Sequence, residues 1–89
     1  MKPTNPLAFP GDHVLVENYK CRILPKPIER GRVLETKTKW LSPFRCQHLY
    51  RVRLERRTNA GDHIDLDIQD RRIKENLEII NKISHVRNL

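Results

Sequence analysis

Cysteine, glycine and aromatic residues are all scarce in this 89-residue chain, which has two Cys, three Gly, one Trp, two Tyr and two Phe. Cys21 and Cys46 stand far apart with no CxxC, so neither a disulfide-stapled secreted scaffold nor a paired-cysteine metal site is indicated. Reduced thiols in a cytoplasmic protein are the expectation. Gly11, Gly31 and Gly61 are each isolated, which removes a glycine-rich phosphate loop. Long apolar runs are also missing: no segment approaches the roughly 18 apolar residues of a membrane span. The first residues, MKPTNPLAFPGDH, hold only LAF between prolines, too little for the apolar centre of a secretory signal. No membrane association is expected.

What the chain does have is positive charge. Its 18 Lys and Arg against 11 Asp and Glu give a formal net charge of +7, a property that bears on partners and solubility and not on fold. The distribution is uneven. Residues 17–39 carry seven Lys/Arg against three Glu, residues 45–57 carry five Arg against one Glu, and residues 58–70 carry four Asp and no Lys or Arg. A basic body therefore has one acidic segment set into it. Hydrophobic residues make up 37% of the chain and charged residues 33%, polar for a folded domain but above the regime of disorder throughout. One small domain is expected, with an extended N-terminal arm over residues 1–10, an ordered centre over 11–75 and a helix or tail over 76–89.

Period-two patterning dominates that centre. GDHVLVE (Gly11 to Glu17) and GDHIDLD (Gly61 to Asp67) share three letters and then run into strand-like sequence. The first, nearly continuous in apolar residues, reads as a strand buried on both sides, and the second as one with an acidic outer face. Between them, Asn18 to Arg30 contains PKP and reads as a long ordered loop. RGRVLETKTKW then restarts a strand, WLSPFRCQ reads as a polar, proline-interrupted connection, and HLYRVRLERR alternates Tyr50, Val52 and Leu54 with Arg51, Arg53 and Glu55, the clearest strand in the chain. TNAGD is dense in turn formers. The antiparallel hairpin that follows from it sets the Arg51 and Arg53 face against Asp65 and Asp67, each opposite-charge pair contributing about 0.2–1 kcal/mol. After QDRR, Asp70 could cap a helix along Ile73, Leu77 and Ile80; the alternative is a tight turn and a short last strand around Ile73 or Leu77 to Ile80.

The order of these pieces, Gly11-Asp12 then Val14 and Val16, Gly31 then Val33, Tyr50-Arg51-Val52-Arg53-Leu54, and Ile64, Leu66 and Ile68, resembles a small Src-homology-3-like β-barrel of the Tudor or KOW kind over about residues 10–75. The resemblance implies a mainly β fold of about five short strands with a C-terminal helix as an option, and carries over no functional residue, because small barrels host many functions. Type II dihydrofolate reductases, short barrels of this kind, bear a Val-Gln-Ile-Tyr signature where this chain reads HIDLDIQD, and the sequence departs from them there.

Several constellations compete for function. His13, His63, Cys46 and His48 are the metal candidates, yet only Cys46 and His48 are closely spaced, and zinc requires three or four converging ligands. A Cys46 nucleophile with a histidine base and an aromatic cage of Tyr19, Trp40 and Phe44 for a methylated cation are further minor alternatives. No enzyme activity, cofactor or resident metal is expected. The leading expectation is a basic binding module for nucleic acid or a nucleoprotein complex, with Lys37, Lys39, Arg45, Arg51, Arg53, Arg56 and Arg57 contacting phosphates and Trp40 stacking on bases. The rival is a protein-interaction or regulatory module, or a homo-oligomer, acting through the barrel surface and the Leu77, Ile80, Ile83 pattern.

Overall fold

A computed structural model of the chain describes residues 5–78. Five strands form one antiparallel sheet: β1 (His13–Glu17), β2 (Ile28–Ser42), β3 (Arg45–Arg57), β4 (His63–Gln69) and β5 (Ile73–Asn76), with a 3-10 turn over Asp70–Arg72 before β5. Their order across the sheet is β4-β3-β2-β1-β5. The chain thus meanders through four strands and returns to pair its last strand with its first.

Both Gly-Asp turns deliver the chain into a strand, as their shared letters suggest. Gly11 and Gly61 hold φ of 96° and 87°, a region that residues bearing a Cβ rarely occupy, and His13 and His63 open the strands that follow. Around the first turn, Gly11 N–H donates to Val33 O (2.8 Å) and Val33 N–H to Asp12 O (2.9 Å). Around the second, Gly61 N–H donates to Thr58 O (2.9 Å) and Asp62 N–H to Thr58 Oγ1 (3.0 Å). β1 is not buried on both sides: Val14 and Val16 are fully buried, whereas His13, Leu15 and Glu17 are half-buried. The reason is that β2 and β5 cover its edges but leave its outer face open.

Two further readings change. β2 and β3 run on through most of WLSPFRCQ, so the connection shrinks to Pro43 and Phe44; a proline needs no ladder donor at the turn, and Trp40 and Leu41 suit a strand. Asp70 does not begin an α-helix. It opens the 3-10 turn, and Ile73 pairs with Val16 as part of β5, where its side chain joins the core. The helix-or-tail expectation beyond Glu78 lies outside the described residues.

Ten side chains make the core: Ala8, Val14, Val16, Val33, Tyr50, Val52, Leu54, Leu66, Ile68 and Ile73. The N-terminal segment is tied into it, since Ala8 is fully buried, Thr36 Oγ1 donates to Ala8 O (3.0 Å) and Leu7 N–H donates to the Tyr50 hydroxyl (2.9 Å). That hydroxyl in turn donates to Asp70 Oδ1 at 2.5 Å. Burial and this carboxylate push the Tyr50 phenol far above its ordinary range, so it stays a neutral donor. Gly31 marks the tightest crossing. A Cβ there would lie 2.6 Å from Val52 Cγ1 and 2.9 Å from Arg53 O.

A bulge between Val33 and Glu35 sets the faces of the long hairpin. Before it Gly31 and Val33 face the core; after it Thr36, Thr38 and Trp40 take the same face of the sheet, opposite Tyr50, His48 and Cys46, though Thr38 and Trp40 lie beyond the core and are exposed. Lys37 and Lys39 are thereby turned to the outer face with Arg51 and Arg53.

Candidate nucleic-acid interface

The eight residues expected to form an interface are spread along the length of the β2–β3 hairpin. They divide by what each cation is paired with. Arg51 Nε lies 3.0 Å from Asp67 Oδ1, and Arg53 grips Asp65 through both Nε (2.9 Å) and Nη2 (3.1 Å). Both acids sit directly across the strand from their arginines, as the alternation of the two strands requires. The Arg53 hydrogen bonds hold the Asp65 carboxyl below its usual range. Arg56 makes a similar fork to Glu29 (2.7 and 3.2 Å). Each of these three guanidiniums thus has a carboxylate partner at the surface of the fold, which offsets part of its charge.

The remaining five behave differently. Lys37 makes one 3.4 Å contact with Glu35 of its own strand. Among the described residues, Lys39, Arg45 and Arg57 have no ion-pair partner. Arg57 stands across from His63 at one end of β3, while Arg45 opens the other end, about 40 Å away along a strand rising roughly 3.3 Å per residue. Lys37, Lys39, Trp40 and Arg45 do belong together, at the outer end of the β2–β3 hairpin.

That end is an arm. β1 pairs with β2 only over Ile28–Arg32, and β4 with β3 only from Leu49 onward, so residues 38–48 form a two-stranded ribbon with no strand on either edge among the described residues. Residues 36–50, TKTKWLSPFRCQHLY, contain two Lys, one Arg and no carboxylate. At the tip Trp40 is 54% exposed and Phe44 77%. Leu41 is exposed as well, and Trp40, Leu41, Ser42 and Pro43 line a shallow depression. The lysines and Arg45 lie on the outer face and Trp40 on the opposite one. Long flexible cations can reach around so thin a ribbon.

Phe44, missing from the expected interface set, is the most exposed aromatic ring in the described part of the chain. The signal for it was Pro43: a proline between two strands places its neighbour at a turn, where no sheet partner covers it. The arm is anchored by His48, which is buried and hydrogen-bonded through Nδ1 to Thr38 Oγ1 at 3.0 Å, with Cys46 Sγ 4.0 Å from Nε2.

The other constellations are dispersed. Tyr19 follows β1 near the start of β2 and carries the Arg72 guanidinium 4.8 Å above its ring, whereas Trp40 and Phe44 are at the far end of β2. The Tyr19, Trp40, Phe44 cage is not assembled, because β2 separates its members. His13 donates from Nδ1 to Glu78 Oε1 (2.8 Å), and no three His, Cys, Asp or Glu among the described residues are grouped to hold a metal ion. Comparison of the chain with protein-family models, curated proteins and solved structures found no match.

Proposed function

We propose that this protein is a nucleic-acid-binding module whose contact element is the β2–β3 arm, and that it takes strands with unpaired bases. The observation that carries this reading is the pairing of exposed rings with unpartnered cations. Trp40 and Phe44 offer π-faces at the tip, Lys39 and Arg45 lie beside them without a counter-ion, and residues 36–50 bring no carboxylate to repel a polyanion. Base stacking on an aromatic ring is worth about 1–3 kcal/mol and tolerates any base, while the cations track the backbone. Arg51, Arg53 and Arg56 serve the fold in this reading. The strand order, the long β1–β2 loop and the 3-10 turn before β5 also support the finer fold reading of a small Src-homology-3-like barrel.

Trp40 is the only tryptophan of the chain, so its fluorescence reports on the arm alone. Titration with single-stranded oligonucleotides should quench it. With three cations engaged, log K should fall against log salt with a slope of about −2, taking about −0.7 per single-strand phosphate. Lys39→Gln or Arg45→Gln should flatten that slope, and Phe44→Ala should weaken binding by about 1–3 kcal/mol. Arg51→Gln should leave both unchanged. Binding that is insensitive to salt, or lost with Arg51→Gln and kept with Arg45→Gln, would overturn the assignment. Quenching by an apolar peptide and not by oligonucleotides would favour a protein partner for the same tip.

A further inference from the structure

The opposite end of the outer sheet face presents a second group of basic residues. His13, Arg32 and Arg53 pair in register across β1, β2 and β3, and Arg57 and His63 pair across β3 and β4. Together they line one cleft of about 260 Å³, with Leu34, Leu54 and Glu55 completing its walls. Two of these side chains already have a carboxylate partner, and the one acid lining the cleft, Glu55, pairs with a cation outside it. Glu55 holds Arg30 (3.1 Å), Glu78 holds His13 (2.8 Å), and Asp65 holds Arg53 through both its oxygens. Arg32 and Arg57 are exposed and have no ion-pair partner among the described residues.

Arg32 directly faces Arg53, and like charges at opposed positions destabilise a sheet. Asp65 relieves Arg53 alone. A cleft with two uncompensated guanidiniums, an imidazole able to donate a hydrogen bond, and an apolar wall in Leu34 is suited to a tetrahedral oxyanion, for which arginine's fork of donors is the matching geometry.

We infer that this cleft binds a phosphate group through Arg32, Arg57 and His63. The site is separate from the arm and does not depend on the arm's function. The phosphate could belong to a small phosphorylated compound or to a nucleic-acid backbone that runs along the outer face toward the arm. Either supplies the same chemistry.

The test uses the full chain, labelled with nitrogen-15 and titrated with inorganic pyrophosphate at constant ionic strength. Saturable shifts centred on Arg32, Arg57 and His63 are expected, with millimolar dissociation. Arg32→Gln and Arg57→Gln should each weaken binding roughly tenfold, equivalent to about 1.4 kcal/mol, and Arg45→Gln at the arm should not. An oligonucleotide long enough to span the sheet displaces pyrophosphate where a short one does not if the natural source is a backbone phosphate; failure of both to compete identifies a small phosphorylated ligand. Shifts that stay linear through tens of millimolar, or that are spread over all exposed cations, would overturn the site. So would saturable binding that survives Arg32→Gln and Arg57→Gln in a variant whose spectrum retains the folded dispersion. Loss of oligonucleotide quenching at Trp40 with pyrophosphate binding intact would defeat the proposed function and leave this inference standing.

Discussion

The inner and outer halves of the β2–β3 hairpin are built from the same two strands and yet are opposites. In the inner half Val33 and Val52 lie opposed in the core, Gly31 lets the backbones close, and Arg51, Arg53 and Arg56 are each matched by a carboxylate. In the outer half the strands lose their neighbours, Trp40 and Phe44 are exposed, and Lys39 and Arg45 have no counter-ion among the described residues. An apolar half in which most arginines are ion-paired stabilises the fold. A half with exposed rings and unbalanced charge contributes little to stability, and such features are where binding is to be sought.

The contrast breaks first, and furthest, at Gly31. Because a Cβ there meets both Val52 Cγ1 and the Arg53 carbonyl at under 3 Å, Gly31→Ala should destabilise the protein by about 1–3 kcal/mol, the range for overpacking a closely fitted site. Urea unfolding would measure it. A change below about 0.5 kcal/mol, the usual size for a surface substitution, would show that the inner half is not tightly closed.

Why the inner half was legible in the sequence and the arm was not follows from what period-two patterning encodes. Tyr50, Val52 and Leu54 against Arg51 and Arg53, and Leu66 and Ile68 against Asp65 and Asp67, announce both a buried face and the partner strand's charge; the register that joins Arg51 to Asp67 and Arg53 to Asp65 was already implied. Within the arm His48 alone is buried, too little to impose a pattern. A bulge after Val33 also shifts the alternation, so LETKTKW cannot be read in one frame, and Pro43 suggested a loop where it marks only a turn. The same limit bears on the interface expectation. Sequence shows that Arg51, Arg53 and Arg56 are basic, but their occupation by Asp67, Asp65 and Glu29 depends on strands brought together from up to 27 residues away. Ile73 was ambiguous for a related reason: the spacing of Ile73, Leu77 and Ile80 suits a helix as well as a short strand near Ile73, and the Val16 pairing that decides for strand at Ile73 is long-range.

A smaller effect is expected at Glu29. It accepts hydrogen bonds from Arg56 and, at 2.6 Å, from the Nδ2 of buried Asn18. The Arg56 hydrogen bond, more than the Asn18 one, holds the Glu29 carboxyl below its ordinary value of 4.5, against the opposing effect of burial. A carboxyl depressed in the folded state binds fewer protons there than in the unfolded chain. Its stabilising contribution is therefore complete above the unfolded value and is lost as pH falls through the folded one. Glu29→Gln should cost about 1 kcal/mol at neutral pH and should make stability decline less steeply as the pH falls below 4.5. Denaturant midpoints measured across that window distinguish the two chains. Parallel curves would mean that Glu29 is not the group being titrated.

The smallest effect is the most informative about the arm. Trp40→Ala and Phe44→Ser remove two large rings, which in a core would cost about 3–5 kcal/mol each. At the tip both are largely in water already, with no strand beyond them, so the pair should change the urea midpoint by no more than about 0.5 kcal/mol. His48 and Thr38, which hold the base of the arm together, remain in place. Destabilisation well above that limit would mean that the rings pack on the protein in solution, and the tip would lose its standing as a surface kept open for a ligand. An unchanged midpoint together with lost oligonucleotide binding in the Phe44 variant separates the two halves of the hairpin cleanly: one carries the fold, and the other can be altered without touching it.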